Sequence, residues 1–266
     1  MANNSGAFTE AQVIKALKEI FATTDPRIAI GIGDDAAVVS GSERQILTTD
    51  MAVEGVHFRT DWSTAFEIGR KVTAANCADV LAMCGTTDYL LVAVALTGSE
   101  SMPWITDLAR GIKYEADLAG ALVVGGDISR AKSVVITITA VGSTVKAIAR
   151  NGAKVGDGIY LSSLTGWSAA GLAIMESKFT VATDAHAVAI REYKNPTIDY
   201  KFSASGATSM SDVSDALVIQ ARQMADSSKV AFKFDLSKIQ ACSEFIELQR
   251  LSSAMGIDVW KWFFAG

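Results

Sequence analysis

Two neighbouring stretches carry residue types suited to holding a cation. Gly33-Asp34-Asp35 and Leu47-Thr48-Thr49-Asp50 place three carboxylates and two hydroxyls within 17 residues, between the apolar runs Ala36-Ala37-Val38-Val39 and Gln45-Ile46-Leu47. Oxygen-only ligands of this kind suit a hard cation such as Mg2+. Further acids recur in apolar settings at Asp79, Asp127, Asp212 and Asp215. The pattern predicts that these distant acids meet and hold Mg2+ against the phosphates of a nucleotide. Each piece also has a plainer reading, since Asp-Asp after Gly makes a polar turn and Thr-Thr-Asp can end a strand. The prediction rests on the number of pieces and on where each one sits.

The elements that must position these residues are legible in part. Thr9-Glu10-Ala11-Gln12 reads as a capping box opening a helix whose apolar face is Val13, Ile14, Leu17, Ile20 and Phe21. Pro26 precedes a short strand, Ile28-Ala29-Ile30; strands near 36–39 and 45–50 flank the Gly33-Asp34-Asp35 turn. Glu54-Gly55 reads as a turn, with His57 just beyond it and close to Phe58; a lone histidine there is either a packing residue or a ligand contact. Ser63 is the expected cap of a long helix to about Met83, stopped by Gly85. On that helix Val72, Asn76, Asp79, Val80 and Met83 share one face. A carboxylate on so apolar a stripe needs a partner, either a cation or a hydrogen bond from Asn76 or a backbone amide.

Asp88 to Leu96 reads as a buried strand, and Ser101-Met102-Pro103 opens a helix ending near Gly120. Ala121 to Val124 is then a short strand running into Gly125-Gly126-Asp127-Ile128-Ser129-Arg130. Two glycines after a strand permit close approach by ligand oxygens, with Asp127 set to hold a metal and Arg130 to neutralise phosphate. No Gly-Lys-Ser/Thr follows, so this is not a P-loop. Ser133 to Gly142 is another strand.

The texture changes over 145–157, where a domain boundary is expected. Arg150 in that loop is a candidate phosphate contact, because guanidinium matches phosphate in a bidentate fashion. In the second half, Gly158 to Ser162 and Val230 to Phe234 read as strands. Helices are expected from Ser168, over Ala182 to Tyr193, over Ala216 to Ala225 and over Glu244 to Met255. Ser209-Met210-Ser211-Asp212-Val213-Ser214-Asp215 stands directly before the third of these. It reads either as a rich N-cap or as a second acid cluster.

Composition narrows the function classes. At 266 residues and 50% hydrophobic, the chain can bury one large core or two medium ones. The net charge is −5 with no Lys/Arg block, which argues against a nucleic-acid footprint. No apolar run approaches the roughly 18 residues of a membrane span. The first six residues have no basic or apolar leader region, and Cys77, Cys84 and Cys242 form no metal spacing. A cytoplasmic protein with reduced thiols is expected.

The ordered motifs together resemble a known family. Gly-Asp-Asp, Thr-Thr-Asp-Met-x-Val-Glu-Gly-Val-His-Phe, Asn-x-x-Asp-Val-x-Ala-Met, Gly-Gly-Asp, Arg-x-Gly-Ala-Lys-x-Gly-Asp and Ser-Asp follow one another as in thiamine-monophosphate kinase. That family belongs to the aminoimidazole ribonucleotide synthetase-like (PurM-like) ATP-binding superfamily. The match runs from about residue 7 to the end. It implies an α/β (α+β) fold of two domains. Residues 1–145 would form a mixed sheet with helices, bind ATP and Mg2+ and dimerise through the sheet; residues 146–266 would form an α+β domain. The implied reaction is direct transfer of the γ-phosphoryl group of ATP to thiamine phosphate, giving thiamine diphosphate, in a homodimer with ATP and several Mg2+ ions between the domains. The implied metal set is Asp35, Thr48, Thr49, Asp50, Asp79, Asp127, Asp212 and Asp215. Gly126, Asp127, Arg150 and Ser214 look like ATP contacts, and His57 looks like a substrate contact.

Phosphoryl transfer needs charge neutralisation and alignment more than a strong base, and no Ser-His-Asp or Cys-His arrangement is needed. Two departures stand out. Ala216 replaces the usual Gly after Ser-Asp, and the family continues Gly-Gly-Glu-Asp-Tyr-Glu-Leu where this sequence ends on Gly266. The second leaves a nucleotide-binding remnant without turnover as an alternative. Selenophosphate synthetase, the hydrogenase maturation dehydratase and purine-synthesis ligases share the superfamily. Selenophosphate synthesis would want a reactive Cys near a Gly-rich N-terminus, whereas the first here is Cys77, inside a predicted helix.

Overall fold

The structure is a computed structural model that describes residues 9–32, 36–181, 183–202, 204 and 206–265. Gly33-Asp34-Asp35, and with it the predicted ligand Asp35, lies outside the described residues. The chain separates into two compact units. One holds residues 1–81 and 85–146; the other holds 82–84 and 147–266.

The first unit is built on a four-stranded mixed sheet. Its strands are β3 (Gln45–Val53), β4 (Thr86–Leu96), β5 (Leu122–Arg130) and β6 (Val135–Ser143), in the order β3-β6-β4-β5. β6 runs antiparallel to both β3 and β4, while β4 and β5 are parallel. The parallel pair needs a crossover, which helix α3 (Met102–Ala119) supplies. β1 (Ile28–Ile30) and β2 (Val38–Val39) form a separate antiparallel pair.

Strand alternation assigns the faces. Ile136, Ile138 and Ala140 of β6 are fully buried, and Thr48, Asp50 and Ala52 of β3 lie in register with them. Helices cover this face. Val80 of α2 (Ala65–Ala82) packs so closely on the sheet that a Cβ on Gly142 would sit 2.4 Å from it. Val13 of α1 (Glu10–Ile20) and Ile105 of α3 close over Leu96, Val94 and Ile128. α2 and α3 cross at two glycines: a Cβ on Gly69 would lie 2.3 Å from the Leu108 carbonyl oxygen, and one on Gly111 would lie 2.1 Å from that of Phe66. Beside this crossing Arg70 donates to the buried Glu115 carboxylate at 2.9 Å. The opposite face carries Leu47 and Met51, which are 68% and 59% exposed.

Helix ends match the sequence reading with two corrections. The capping box at Thr9 and Gln12, the Ser101 cap and the left-handed Gly120 stop are all present. α2, however, is capped by Thr64 rather than Ser63. The Thr64 hydroxyl accepts from the Glu67 amide and the Glu67 carboxylate accepts from the Thr64 amide. Past its C-terminus Cys84, not Gly85, takes the left-handed conformation, with φ of 59°. Gly85 sits in a tight place, where a Cβ would lie 3.0 Å from the Ser143 carbonyl oxygen and 3.1 Å from that of Val80, and would displace the end of the Ile46 side chain.

The second unit is helical among its described residues. α4 (Trp167–Ser177), α5 (Asp184–Lys194), α6 (Leu217–Ser228), α7 (Leu236–Gln240), α8 (Ser243–Ala254) and α9 (Val259–Ala265) enclose Ile174, Leu217, Phe245, Leu248, Trp262 and Phe263. The segments 158–162 and 230–234, expected as strands, are irregular. A strand is stabilised by its neighbour, and among the described residues of this unit none pairs with either segment. α7 and α9 escape the sequence reading: α7 is one turn long, and α9 is apolar nearly all round, so neither shows a helical period.

Candidate active site

Of the site candidates of the first unit, Thr48, Thr49, Asp50 and Asp79 lie on edge strand β3 and the helix α2 behind it. Thr48 and Asp50 point toward α2, because they share the row of the buried Ala140 and Ile138. The Thr48 hydroxyl donates to Asp79 Oδ2 at 2.7 Å, across 31 residues of sequence. The Asp50 amide donates to Asn76 Oδ1 at 3.1 Å, and Asn76 Nδ2 donates back to the Val72 carbonyl one helical turn earlier. Asp79 thus receives a hydrogen bond from Thr48, where the sequence reading had offered a cation, or else Asn76 or a backbone amide. Asn76 serves Asp50 instead. Thr48 and Asp79 are half-buried, Asn76 is fully buried and Asp50 is exposed, so the two acids and the hydroxyl run from a partly dry interior to the solvent edge.

Thr49 points the other way. Its hydroxyl donates to the Ile138 carbonyl at 3.1 Å and lies 3.1 Å from the Thr139 hydroxyl. The side chains of Thr48 and Thr49 therefore serve opposite faces of the sheet, as successive strand residues must.

At the end of β3 the chain turns at Glu54-Gly55, where Gly55 adopts φ of 83°. His57 folds back so that its Nδ1 accepts the Val53 amide at 3.0 Å. That bond puts the neutral ring's proton on Nε2. Glu54 braces the turn, accepting from the Thr60 hydroxyl at 2.6 Å and from the Val134 amide at 3.4 Å.

Gly125-Gly126-Asp127 is not a turn after a short strand; β5 continues through it to Arg130. Gly126 is required by close approach, since a Cβ would fall 1.8 Å from the Val92 carbonyl oxygen. Asp127 pairs with Ala93, whose other neighbour Thr137 lies opposite Met51. Asp127 therefore belongs to the face opposite Asp50, on the other edge of the sheet. Three strand spacings, about 14 Å, separate the two edges. Among the described residues no three His, Cys, Asp or Glu side chains of one chain cluster closely enough to hold a metal.

The remaining candidates lie in the second unit. The loop carrying Arg150 is laced to the stretch before α6: the Arg150 carbonyl accepts from the Ser209 hydroxyl at 2.6 Å, and a Cβ on Gly152 would sit 1.8 Å from the Thr208 carbonyl oxygen. Arg150 Nη1 donates to Gln223 Oε1 of α6 at 2.6 Å. The Thr208 hydroxyl and then the Lys154 amide hold the Asp157 carboxyl below its ordinary pKa. Asp212 is half-buried and Ser214 and Asp215 are exposed. The N-cap alternative fails, since the N-cap position of α6 is Ala216, with no side-chain cap bond, and the Ala216 amide is satisfied by Gln220 Oε1 at 3.1 Å. Asp212, Ser214 and Asp215 thus stand before the N-terminus of α6 with no capping duty, while Arg150 lies along the same helix, at Gln223 and at Ser228, whose hydroxyl donates to the Arg150 carbonyl at 3.3 Å.

Comparison with known proteins agrees with this architecture. Residues 33–144 match the family described as AIR synthase related protein, N-terminal domain. A thiamine-monophosphate kinase of Corynebacterium glutamicum is 34% identical over 248 residues, covering 88% of this chain and 73% of the relative. One from Mycobacterium tuberculosis is 34% identical over 246 residues, with 90% and 72% covered. The solved structure of AaThiL complexed with AMPPCP and TMP superposes with a TM-score of 0.78 at 26% identity, covering 100% of this chain and 83% of that one. The chain belongs to the thiamine-monophosphate kinase family.

Proposed function

We infer that the protein transfers the γ-phosphoryl group of ATP to the phosphate of thiamine phosphate, releasing ADP and thiamine diphosphate. Family membership supports this, as does likeness to a structure that holds AMPPCP, a methylene analogue of ATP, together with TMP. The observation in this chain that carries it is the edge of β3. There Asp50, Thr48 and Asp79 present carboxylate and hydroxyl oxygens on one face from residues far apart in sequence.

An oxygen-only donor set of this kind fits Mg2+. The ion would supply charge neutralisation for the polyphosphate. Asp50 and Asp79 would hold it, with the Thr48 hydroxyl fixing the Asp79 carboxylate. Thr49, Asp127 and Gly126 would act at other points of the same sheet; because Asp127 lies across the sheet from Asp50, a second copy packed on the open face would have to bring it near the β3 edge. Asp35, Asp212 and Asp215 complete the proposed metal set. Arg150 and Ser214 would contact the nucleotide, Arg150 through its planar donor fork. His57, with Nε2 as its donor, would hold an acceptor on the substrate. The proposed setting is a cytoplasmic homodimer; no helix among the described residues is long and apolar enough to cross a membrane.

The test is formation of thiamine diphosphate from ATP and thiamine phosphate with increasing Mg2+. Asp50→Asn and Asp79→Asn are each expected to lower turnover at least about 100-fold, the cost of removing one electrostatic contact to a transferring group. Their melting temperatures should stay within a few degrees of the parent. Nucleotide binding without product in the parent would instead mark a remnant.

A further inference from the structure

We propose that Asn76 is a positioning residue for the Mg-ATP site, setting the register between edge strand β3 and helix α2. The inference rests on the kinase reading above for what the site binds. The geometry that supports it is independent of that reading.

Among the described residues β3 is hydrogen-bonded to a strand on one side only, that of β6. Its even-numbered residues turn their main-chain groups toward β6, as the Glu54 amide on the Val134 carbonyl and the Thr144 amide on the Arg44 carbonyl show. The Asp50 amide belongs to that row and also reaches Asn76 Oδ1 of α2 at 3.1 Å, a residue 26 positions later. Asn76 is fully buried and its two ends are both engaged, since Nδ2 donates to the Val72 carbonyl at 2.9 Å. A donor at one end and an acceptor at the other fix the orientation of the amide, so it cannot flip without losing both bonds.

A second rung lies beside this one, from the Thr48 hydroxyl to Asp79 at 2.7 Å. Thr48 and Asp50 are two residues apart on a strand, about 6.6 Å. Asn76 and Asp79 are three apart on a helix, about 4.5 Å. One rung alone would leave β3 free to pivot or slide on α2. Two rungs set position and rotation together, and metal ligands tolerate only about 0.5 Å of misplacement. The asparagine carries no charge and reaches the main chain rather than a carboxylate. It therefore aligns Asp50 without competing for the cation.

Three variants of the whole chain test this: Asn76→Asp, Asn76→Leu and Thr73→Val. Thr73 is an equally buried polar residue of α2, bonded only within the helix through its hydroxyl to the Gly69 carbonyl. The first readout is the amide proton chemical shift of Asp50 in metal-free, isotope-labelled protein. Asn76→Leu should move it more than any other amide of 45–53, while Thr73→Val leaves it unchanged. The second is Mg2+ binding to the AMPPCP complex by calorimetry. Both Asn76 variants should need at least tenfold more Mg2+ for half-saturation, and Thr73→Val should not. An Asp50 amide shift that stays in place in Asn76→Leu overturns the proposal, as does parent-like Mg2+ binding in a folded Asn76 variant. Should Asn76→Leu fail to fold, Mg2+ binding by Asn76→Asp still decides. An Asp50 shift that moves in Asn76→Leu, in a protein whose parent binds no Mg-AMPPCP, would refute the kinase reading while leaving the structural clip standing.

Discussion

At the level of single residues, the β3 edge works through paired polar contacts that each have one donor and one acceptor. Thr48 is the simplest to isolate. Thr48→Val keeps the shape and removes the hydroxyl that donates to Asp79. A buried or half-buried acceptor that loses its donor costs about 1–3 kcal/mol. The expected result is a modest loss of stability in a denaturant melt together with a several-fold higher Mg2+ requirement for activity. The second effect follows because the Asp79 carboxylate would no longer be held in one orientation. An unchanged Mg2+ requirement would reduce Thr48 to a packing residue. The sequence had shown Thr48, Asp50, Asn76 and Asp79 as candidates or neighbours. It had not shown which bonds to which, because both partners of each rung are more than 25 residues apart.

At the level of elements, the first unit depends on how closely its two long helices cross. Gly69→Ala would push a methyl group to 2.3 Å from the Leu108 carbonyl, which belongs to backbone and cannot rotate aside. Overpacking of this kind costs about 1–3 kcal/mol or more. Thermal unfolding of Gly69→Ala should therefore show a melting temperature lower by at least several degrees. α2 also carries Lys71, whose ammonium pKa is pushed down to about 8 by burial. The unfolded chain keeps the ordinary value of 10.5. Between about 8 and 10.5 the unfolded chain holds the extra proton, so this residue makes stability rise with pH across that window. Below about 8 both states are charged and the penalty, of order 3 kcal/mol, is constant. Denaturant titrations at pH 8 and 10.5 should show a smaller rise in Lys71→Met than in the parent. An equal rise in both proteins would mean that other groups carry the dependence.

For the molecule as a whole, the sheet of the first unit has one face under helices and one face with large apolar side chains in solvent. A patch holding Leu47 at 68% exposure and Met51 at 59% is characteristic of an interaction surface. The proposed homodimer would bury it. Leu47→Lys is expected to convert a dimer into a monomer in size-exclusion chromatography with light scattering. It should leave the circular dichroism spectrum unchanged, because Leu47 lies on the face away from the helical core. Activity should fall with the dimer if Asp127 must come from the second copy. A parent protein that is monomeric at micromolar concentration would exclude this arrangement and, with it, a shared role for Asp127.

The sequence by itself determined what depends on neighbours along the chain. The caps at Thr9, Ser101 and Gly120, the long helices and the apolar strands were readable because propensity, capping and periodicity act over a turn or two. The ordered acid motifs were readable as well, and they pointed to the family. Tertiary structure alone decided the rest. It carried β5 on through Gly125-Gly126, where an absent side chain lets Val92 lie alongside. It left 158–162 and 230–234 irregular for want of a strand to pair with, and it matched Thr48 and Asp50 to Asp79 and Asn76. Sheet pairing and the meeting of a strand with a helix are long-range contacts, and no spacing within one segment can specify the partner that another segment supplies.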